Sequence, residues 1–205
     1  MTLFRWTASA ALAAIATFAS ANDPLGKGPE GTEMAVFAGG CFWCTEADFD
    51  KVPGVVDTVS GYIGGEATTA TYEQVSAGGT EHIEAVAVFY DPDETSYDTL
   101  VEAFWPTIDP LTPNAQFCDR GRQYRSALFY ANEAQQRTLQ ASVSALGSSG
   151  QFDQPIVTEL LPRTAFFPAE DYHQDYYQKN PIRYNFYRSR CGRDARLAEL
   201  WGEDR

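Results

Sequence analysis

Apolar residues along this chain follow two spacings, one typical of strands and one typical of helices. The strand-like runs predict β-strands over 33–38, 55–63, 82–90, 125–130 and 156–160. The helical spacings predict helices over 44–51, 96–105, 132–146 and 169–179, with a helical turn over 71–77. Strands and helices that alternate with mixed connections predict an α/β (α+β) fold, a two-layer sandwich built on a mixed sheet.

Two local features refine this pattern. Ser96 directly precedes a helical run and is the expected N-cap of that helix. Residues 106–124 form the longest predicted loop, and loops of that length are usually functional or disordered. Because this loop holds Cys118, Asp119 and Tyr124, we expect it to be functional.

The N-terminus has the layout of a secretory signal. Arg5 precedes a small apolar run over 8–19, and Ala19-Ser20-Ala21 fits a cleavage site. The run is shorter than the roughly 20 residues that a membrane-spanning helix needs. We therefore expect a signal peptide over 1–21, a flexible leader over 22–32, one domain over 33–181 and a C-terminal extension over 182–205 that packs on the domain. The expected location is the periplasm, with an uncleaved N-terminal anchor as the alternative.

The charge of the chain limits its partners. The formal net charge is −13 at pH 7, so the phosphates of nucleic acids and anionic lipid surfaces would be repelled. We expect no nucleic-acid partner, no stable membrane association after signal cleavage and a monomeric protein.

Cys41 follows a strand-like run and two glycines, at a position where a helix can begin. The first N–H groups of a helix have no intrahelical partner and favour negative charge, so a thiolate is expected to be stabilised there. Phe42 and Trp43 can wall an apolar pocket beside the sulfur, and Cys44 lies three residues on. A CxxC spacing alone also occurs in zinc sites and in thiol–disulfide exchange proteins.

Glu84 lies in the predicted strand 82–90, both faces of which are apolar. Burial of a carboxyl group disfavours its charged form and raises its pKa. A protonated Glu84 can deliver a proton at neutral pH, as a general acid does. The alternative is a carboxylate at the wet end of the strand that pairs with an arginine.

The chain carries four cysteines, which in an exported protein are often structural disulfides. Their uneven placement favours a redox role. Two other classes stay open: a thioredoxin-like exchanger that uses Cys41 and Cys44, and a non-enzymatic domain with structural disulfides or zinc. Zinc is disfavoured because His82 and His173 are the only histidines.

The motifs occur in an order that resembles the A-type peptide-methionine sulfoxide reductases, which act on the S epimer at sulfur. They are GCFWCTE (40–46), PGV (53–55), GYIGG (61–65), TYEQV (71–75), HIEAV (82–86), QYRSA (123–127), YHQDY (172–176) and KNP (179–181). The resemblance covers about 33–181 and implies a ferredoxin-like two-layer sandwich. It also implies oxidised proteins and free methionine sulfoxide as substrates.

The resemblance assigns roles to individual residues. Cys41 matches the nucleophile that attacks the sulfoxide sulfur and becomes a sulfenic acid, and Glu84 matches the acid that protonates the oxygen. The remaining matched positions are Phe42 and Trp43 for the methyl pocket, Tyr72 and Tyr124 for hydrogen bonds to the oxygen, and Asp119 for support. No metal or other cofactor is implied, and an external dithiol such as a thioredoxin-like protein is the expected reductant.

Three departures from the family pattern concern recycling of the enzyme. Cys44 stands where glycine is common, Cys118 stands where asparagine is common, and the tail that carries Cys191 is longer and more basic than usual. Cys191 is the first candidate for the cysteine that resolves the sulfenic acid, followed by Cys44 and then Cys118.

Overall fold

The computed structural model describes residues 23–203. The strands are β1 (Glu33–Gly39), β2 (Val55–Ile63), β3 (Ile83–Tyr90), β4 (Ala115–Gln116), β5 (Asp119–Arg120), β6 (Ser126–Tyr130), β7 (Glu159–Pro162) and β8 (Phe166–Pro168). The helices are α1 (Phe42–Phe49), α2 (Tyr72–Ser76), α3 (Tyr97–Phe104), α4 (Glu133–Ser148), α5 (Tyr176–Lys179), α6 (Pro181–Arg190) and α7 (Arg193–Trp201). Short 3-10 turns lie at Ala67–Thr69, Trp105–Thr107 and Arg122–Tyr124.

One mixed sheet organises the domain. Its strand order is β7-β6-β1-β3-β2-β8, and the neighbours are antiparallel except for the parallel pair β6 and β7. Strands β4 and β5 form a separate antiparallel pair. The structure confirms the predicted α/β class with a mixed sheet.

The two faces of the sheet form different cores because side chains alternate along each strand. Val86 and Val88 of β3 point to the face that α1, α3 and α4 cover. Ile83, Ala85 and Ala87 point to the other face, where the curled sheet packs on its own side chains and on Leu25. Glu84 shares the face of Val86, so its carboxyl group lies under the helices.

Three segments differ from the sequence prediction. The predicted loop 106–124 contains β4, β5 and the turn that ends at Tyr124, and the strand predicted over 156–160 lies at Glu159–Pro162. The helix predicted over 169–179 is wrong except for α5. Asp175 has the left-handed φ of 52°, and the Gln174 side chain bonds the backbone N and O of Ser60 at 2.9 Å each, so side-chain bonds replace helical ones here.

The C-terminal segment folds back onto the domain. Helix α6 starts at Pro181, whose missing N–H costs nothing at the first turn, and Gly192, with φ of 70°, separates α6 from α7. The Trp201 indole N–H donates to the carbonyl of Ile108 at 2.9 Å. Neither α6, α7 nor the three-residue strand β8 follows from the sequence pattern alone.

The predicted signal peptide lies outside the described residues. Among residues 23–203, none of the helices has the length and apolar character that crossing a membrane requires.

Candidate active site

The site lies at the junction between β1 and α1. Gly40 has a φ of 85°, and a Cβ atom on it would lie 2.5 Å from Cβ of Gln116, so only glycine fits this turn. Cys41 is then the N-cap of α1, as the sequence predicts, and it is 6% exposed. The turn between the strand and the helix therefore holds the Cys41 sulfur in a nearly buried position at the N-terminus of α1.

A small cavity of ≈ 60 Å³ opens beside Cys41. It is lined by Cys41, Phe42, Trp43, Tyr72, Glu84, Asp119, Tyr124 and Tyr187. The structure therefore brings together seven residues that the sequence analysis names from distant segments, and it adds Tyr187 from α6.

Glu84 is 2% exposed, and its Oε2 accepts a hydrogen bond from the backbone N–H of Phe42 at 3.1 Å. Burial raises the pKa of Glu84 to about 8, with smaller contributions from Asp119 and Cys44, while the Phe42 bond opposes the shift. The carboxyl group is therefore protonated at neutral pH. No described arginine pairs with it, which removes the surface ion-pair alternative.

Cys41 and Cys44 share a hydrogen bond between their side chains. Burial raises the pKa of Cys41 well above its usual value, and Cys44, Glu84 and Asp119 raise it further. The bond from Cys41 lowers the pKa of Cys44 to about 7 against the effect of burial, and Arg193 and Arg188 assist. Burial therefore opposes the thiolate that the helix N-terminus favours at Cys41, and Cys44 is the thiol of the pair whose pKa is lowered.

Hydroxyl groups surround the other side of the cavity. Burial raises the pKa of Tyr72 to about 12 and raises the pKa of Tyr124 further still, so both phenols keep their protons and can donate. The Tyr187 hydroxyl donates to Oδ2 of Asp119. Burial raises the pKa of Asp119, while this bond and the Arg193 charge oppose the shift.

Cys118 and Cys191 form a disulfide with their Cα atoms 5.0 Å apart, whereas Cys41 and Cys44 are free thiols. Cys191, the first candidate for the resolving cysteine, is thus bonded to Cys118, the third candidate. In the described part of the chain, the one group of potential metal ligands close enough to share an ion is Cys118, Asp119 and Cys191. Because its two sulfurs are bonded to each other, the group offers no pair of thiolates.

Three further residues support the site, and two of them, Tyr187 and Arg193, escape a reading of the sequence. Tyr187 sits in the tail, and the buried His173 accepts a hydrogen bond from the Trp43 indole at 3.0 Å rather than facing solvent. Arg193 is 1% exposed and donates to the carbonyls of Gly39 and Thr107. No local pattern marks Tyr187 or Arg193, although the motif YHQDY pointed to the neighbourhood of His173.

A buried cysteine pair beside a protonated carboxylic acid, on a mixed α/β sheet, defines a thiol-dependent oxidoreductase. The model of the family "Peptide methionine sulfoxide reductase" matches residues 33–205. The chain belongs to this family and is an oxidoreductase of the peptide methionine sulfoxide reductase type, which confirms the resemblance seen in the motifs.

Individual relatives agree with the family match. The chain is 48% identical over 171 residues to the peptide methionine sulfoxide reductase MsrA of Halalkalibacterium halodurans, covering 83% of this chain and 97% of that one. It is 49% identical over 173 residues to the MsrA/MsrB protein of Vibrio cholerae, covering 84% of this chain but only 46% of the relative, so it spans about half of that protein. The structure of methionine sulfoxide reductase A of Corynebacterium diphtheriae has a TM-score of 0.66 and 35% identity, covering 76% of this chain and 78% of that one.

Proposed function

We propose that this protein reduces the S epimer of methionine sulfoxide, free and in proteins, to methionine, and so repairs oxidised proteins. The observation that carries the proposal is the placement of a protonated Glu84 and the Cys41 sulfur on one ≈ 60 Å³ cavity. Family membership supplies the substrate class, and the relatives named MsrA support the A-type stereochemistry.

The first step joins the Cys41 sulfur to the sulfoxide sulfur. The Cys44 thiolate takes the proton of the Cys41 thiol through their shared hydrogen bond, and the Cys41 thiolate then attacks. Glu84 gives its proton to the sulfoxide oxygen, while the phenols of Tyr72 and Tyr124 donate hydrogen bonds to it. The S–O bond of the substrate and the new bond between the two sulfurs then break, and the hydroxyl oxygen, or that of a water molecule in its place, bonds to the Cys41 sulfur. The substrate sulfur gains two electrons and leaves as methionine, and Cys41 becomes a sulfenic acid.

The second step closes a disulfide. The Cys44 thiol, now protonated, attacks the Cys41 sulfenic acid and expels water. Two facts favour Cys44 over the other candidates: it already contacts Cys41, and Cys118 and Cys191 are bonded to each other. This reverses the order of candidates that the sequence suggested.

The cycle needs two electrons from outside the chain. An external dithiol, such as a thioredoxin-like protein, would reduce the Cys41–Cys44 disulfide by exchange. Sulfur chemistry of this kind requires no metal or flavin. A thioredoxin-like exchanger would need no buried carboxylic acid beside its cysteines, so the placement of Glu84 favours sulfoxide reduction over that alternative.

The proposed location is the periplasm. The support is the signal-like segment 1–21 and its Ala19-Ser20-Ala21 site. Mass measurement of the protein recovered from the periplasmic fraction should give a chain that begins at Asn22. A full-length chain that stays in the membrane fraction would favour the anchored alternative.

The activity test compares the two sulfoxide epimers. Purified protein with dithiothreitol should convert S-methionine sulfoxide, leave the R epimer unchanged and lose all activity in Cys41→Ser. Mass mapping after one turnover without reductant should find a Cys41–Cys44 disulfide. Equal conversion of both epimers, or an active Cys41→Ser variant, would contradict the proposal.

A further inference from the structure

His173 lies directly behind the aromatic wall of the cavity without lining it. Its side chain is 1% exposed. The imidazole ring lies 4.3 Å from the ring of Tyr72, 5.0 Å from that of Phe42 and 5.6 Å from that of Trp43, measured between centroids. One side chain therefore contacts three of the aromatic rings that line the cavity.

The hydrogen bond to Trp43 fixes the tautomer of His173. An indole N–H is only a donor, so the His173 Nδ1 that it reaches at 3.0 Å is unprotonated. The neutral ring then carries its proton on Nε2, which is buried 4.0 Å from Oε2 of Glu170. Burial lowers the pKa of His173 and the Glu170 carboxylate opposes the shift, so the acceptor persists at neutral pH.

The segment 170–173, which contains His173, also binds the backbone of Tyr72. Glu170 accepts from the backbone N–H of Tyr72 at 2.9 Å and from the hydroxyl of Tyr62 at 3.0 Å. The backbone N–H of His173 in turn donates to the carbonyl of Glu170 at 2.8 Å. Residues 170–173 thus tie the indole of Trp43 and the start of α2 to one short segment.

Stacking on Tyr176 alone would leave the Trp43 indole free to rotate within its own plane. Trp43 is half-buried and stacks on Tyr176 with centroids 3.8 Å apart and planes 8° from parallel. A stacked pair resists tilting, but it resists rotation within the plane of the ring far less. The hydrogen bond at one edge of the indole supplies that missing restraint.

We propose that His173 is a positioning residue that fixes the Trp43 indole and thereby sets the width of the pocket for the substrate's S-methyl group. The proposal rests on the proposed function, because it concerns the fit of the group that sulfoxide reduction places there. His173 does not line the cavity, and its one side-chain hydrogen bond in the described structure is to Trp43, so it acts on the pocket through the rings that it contacts and above all through Trp43.

Three variants separate positioning from general stability. His173→Leu keeps apolar bulk and removes the acceptor, whereas His173→Asn retains an acceptor oxygen near the position of Nδ1. His82→Leu is the matched control, since His82 is also a buried histidine but accepts no indole and has ring contacts with Tyr62 and Phe167, which do not line the cavity.

The first readout needs no activity. In an NMR spectrum the Nε1–H signal of Trp43, assigned by its loss in Trp43→Phe, should move upfield and exchange faster with solvent in His173→Leu. It should stay in place in His173→Asn and His82→Leu. An unmoved signal in His173→Leu would overturn the proposal even if the protein reduces no sulfoxide.

The second readout is kinetic and uses S-methionine sulfoxide and S-ethionine sulfoxide. His173→Leu should raise KM for the methyl substrate roughly fivefold to tenfold, the effect of losing one hydrogen bond, with kcat within about twofold. Its preference for methyl over ethyl should fall, and His173→Asn should restore both values. Two results for His173→Leu would overturn the positioning role: a lower kcat at constant KM, or an unchanged preference for the methyl over the ethyl substrate. If the wild-type protein is active in the same assay, either result leaves the proposed function intact.

Discussion

Glu84 and Phe42 are joined by a hydrogen bond of 3.1 Å from the backbone nitrogen of Phe42 to Oε2 of the carboxyl group. The donor is the first N–H of α1, which has no partner within the helix. One oxygen of Glu84 is thus an acceptor, so the proton of the acid lies on the other. The bond links the proposed acid, Glu84, to the residue that follows the proposed nucleophile, Cys41.

Glu84→Gln should slow formation of the sulfenic acid by about 10²- to 10⁴-fold, the usual effect of losing a general acid. Glutamine keeps the acceptor for the Phe42 N–H and has nearly the same volume, so the fold should survive. Single-turnover release of methionine measures the rate, with Cys41→Ser as the background. An unchanged rate would remove Glu84 from the role of acid.

The pH dependence of that single turnover should be bell-shaped. The rate rises as pH passes about 7, because the Cys44 thiolate must accept the Cys41 proton, and it falls as pH passes about 8, because Glu84 must stay protonated. Glu84→Gln should retain the rising limb and lose the falling one. A falling limb at the same pH in that variant would assign it to another group.

Glu46 should make the fold less stable as pH rises. Burial raises its pKa from 4.5 to about 7, with help from the charge of Asp50. The unfolded chain therefore ionises first, and stability present below pH 4.5 is lost as pH rises to about 7, on the order of 3 kcal/mol. The check is the free energy of unfolding, measured by chemical denaturation at pH 5 and at pH 8. The decrease between the two pH values should be smaller in Glu46→Gln than in Glu102→Gln, a control at an exposed position. Equal decreases in the two variants would contradict the prediction.

The Cys118–Cys191 disulfide should stabilise the fold without taking part in resolution. It joins residues 73 positions apart, so the double variant Cys118→Ser/Cys191→Ser should lose about 2–4 kcal/mol of unfolding free energy. The double variant should still form the Cys41–Cys44 disulfide after one turnover, as mass mapping would show. A stable sulfenic acid in this variant, with normal resolution in Cys44→Ser, would return the resolving role to the tail.

Arg193 should be essential for docking of α7. Its guanidinium donates to Gly39 at 3.3 and 3.2 Å and to Thr107 at 2.8 Å, and it lies 4.5 Å over the Phe117 ring. Arg193→Met should cost about 2–4 kcal/mol in chemical denaturation, because these carbonyls lose their donors inside the protein. Arg183→Met on the exposed face of α6 is the control and should change little; equal effects would contradict the prediction.

Local patterns decide much of the fold. Strand β2 has the predicted ends at Val55 and Ile63, β1 and β3 agree within one residue, and α3 begins after Ser96, whose hydroxyl accepts from the Thr99 N–H at 3.2 Å. These elements bury one periodic face or carry their own cap, so the information lies within a few residues. Strand β8 has three residues and exists through its pairing with β2, which no local pattern encodes.

The candidate site likewise has features that local sequence determines and features that depend on the folded structure. The sequence by itself determined the family motifs, the position of Cys41 at a helix start and the burial of Glu84, because each depends on neighbours within a strand or turn. Only the tertiary structure decided which cysteines are bonded, how burial shifts the pKa of Cys41, and that His173 and Arg193 reach Trp43 and Gly39 from 130 and 154 positions away. Burial and charge at a point in space depend on every segment packed around it, and those segments meet only when the chain folds.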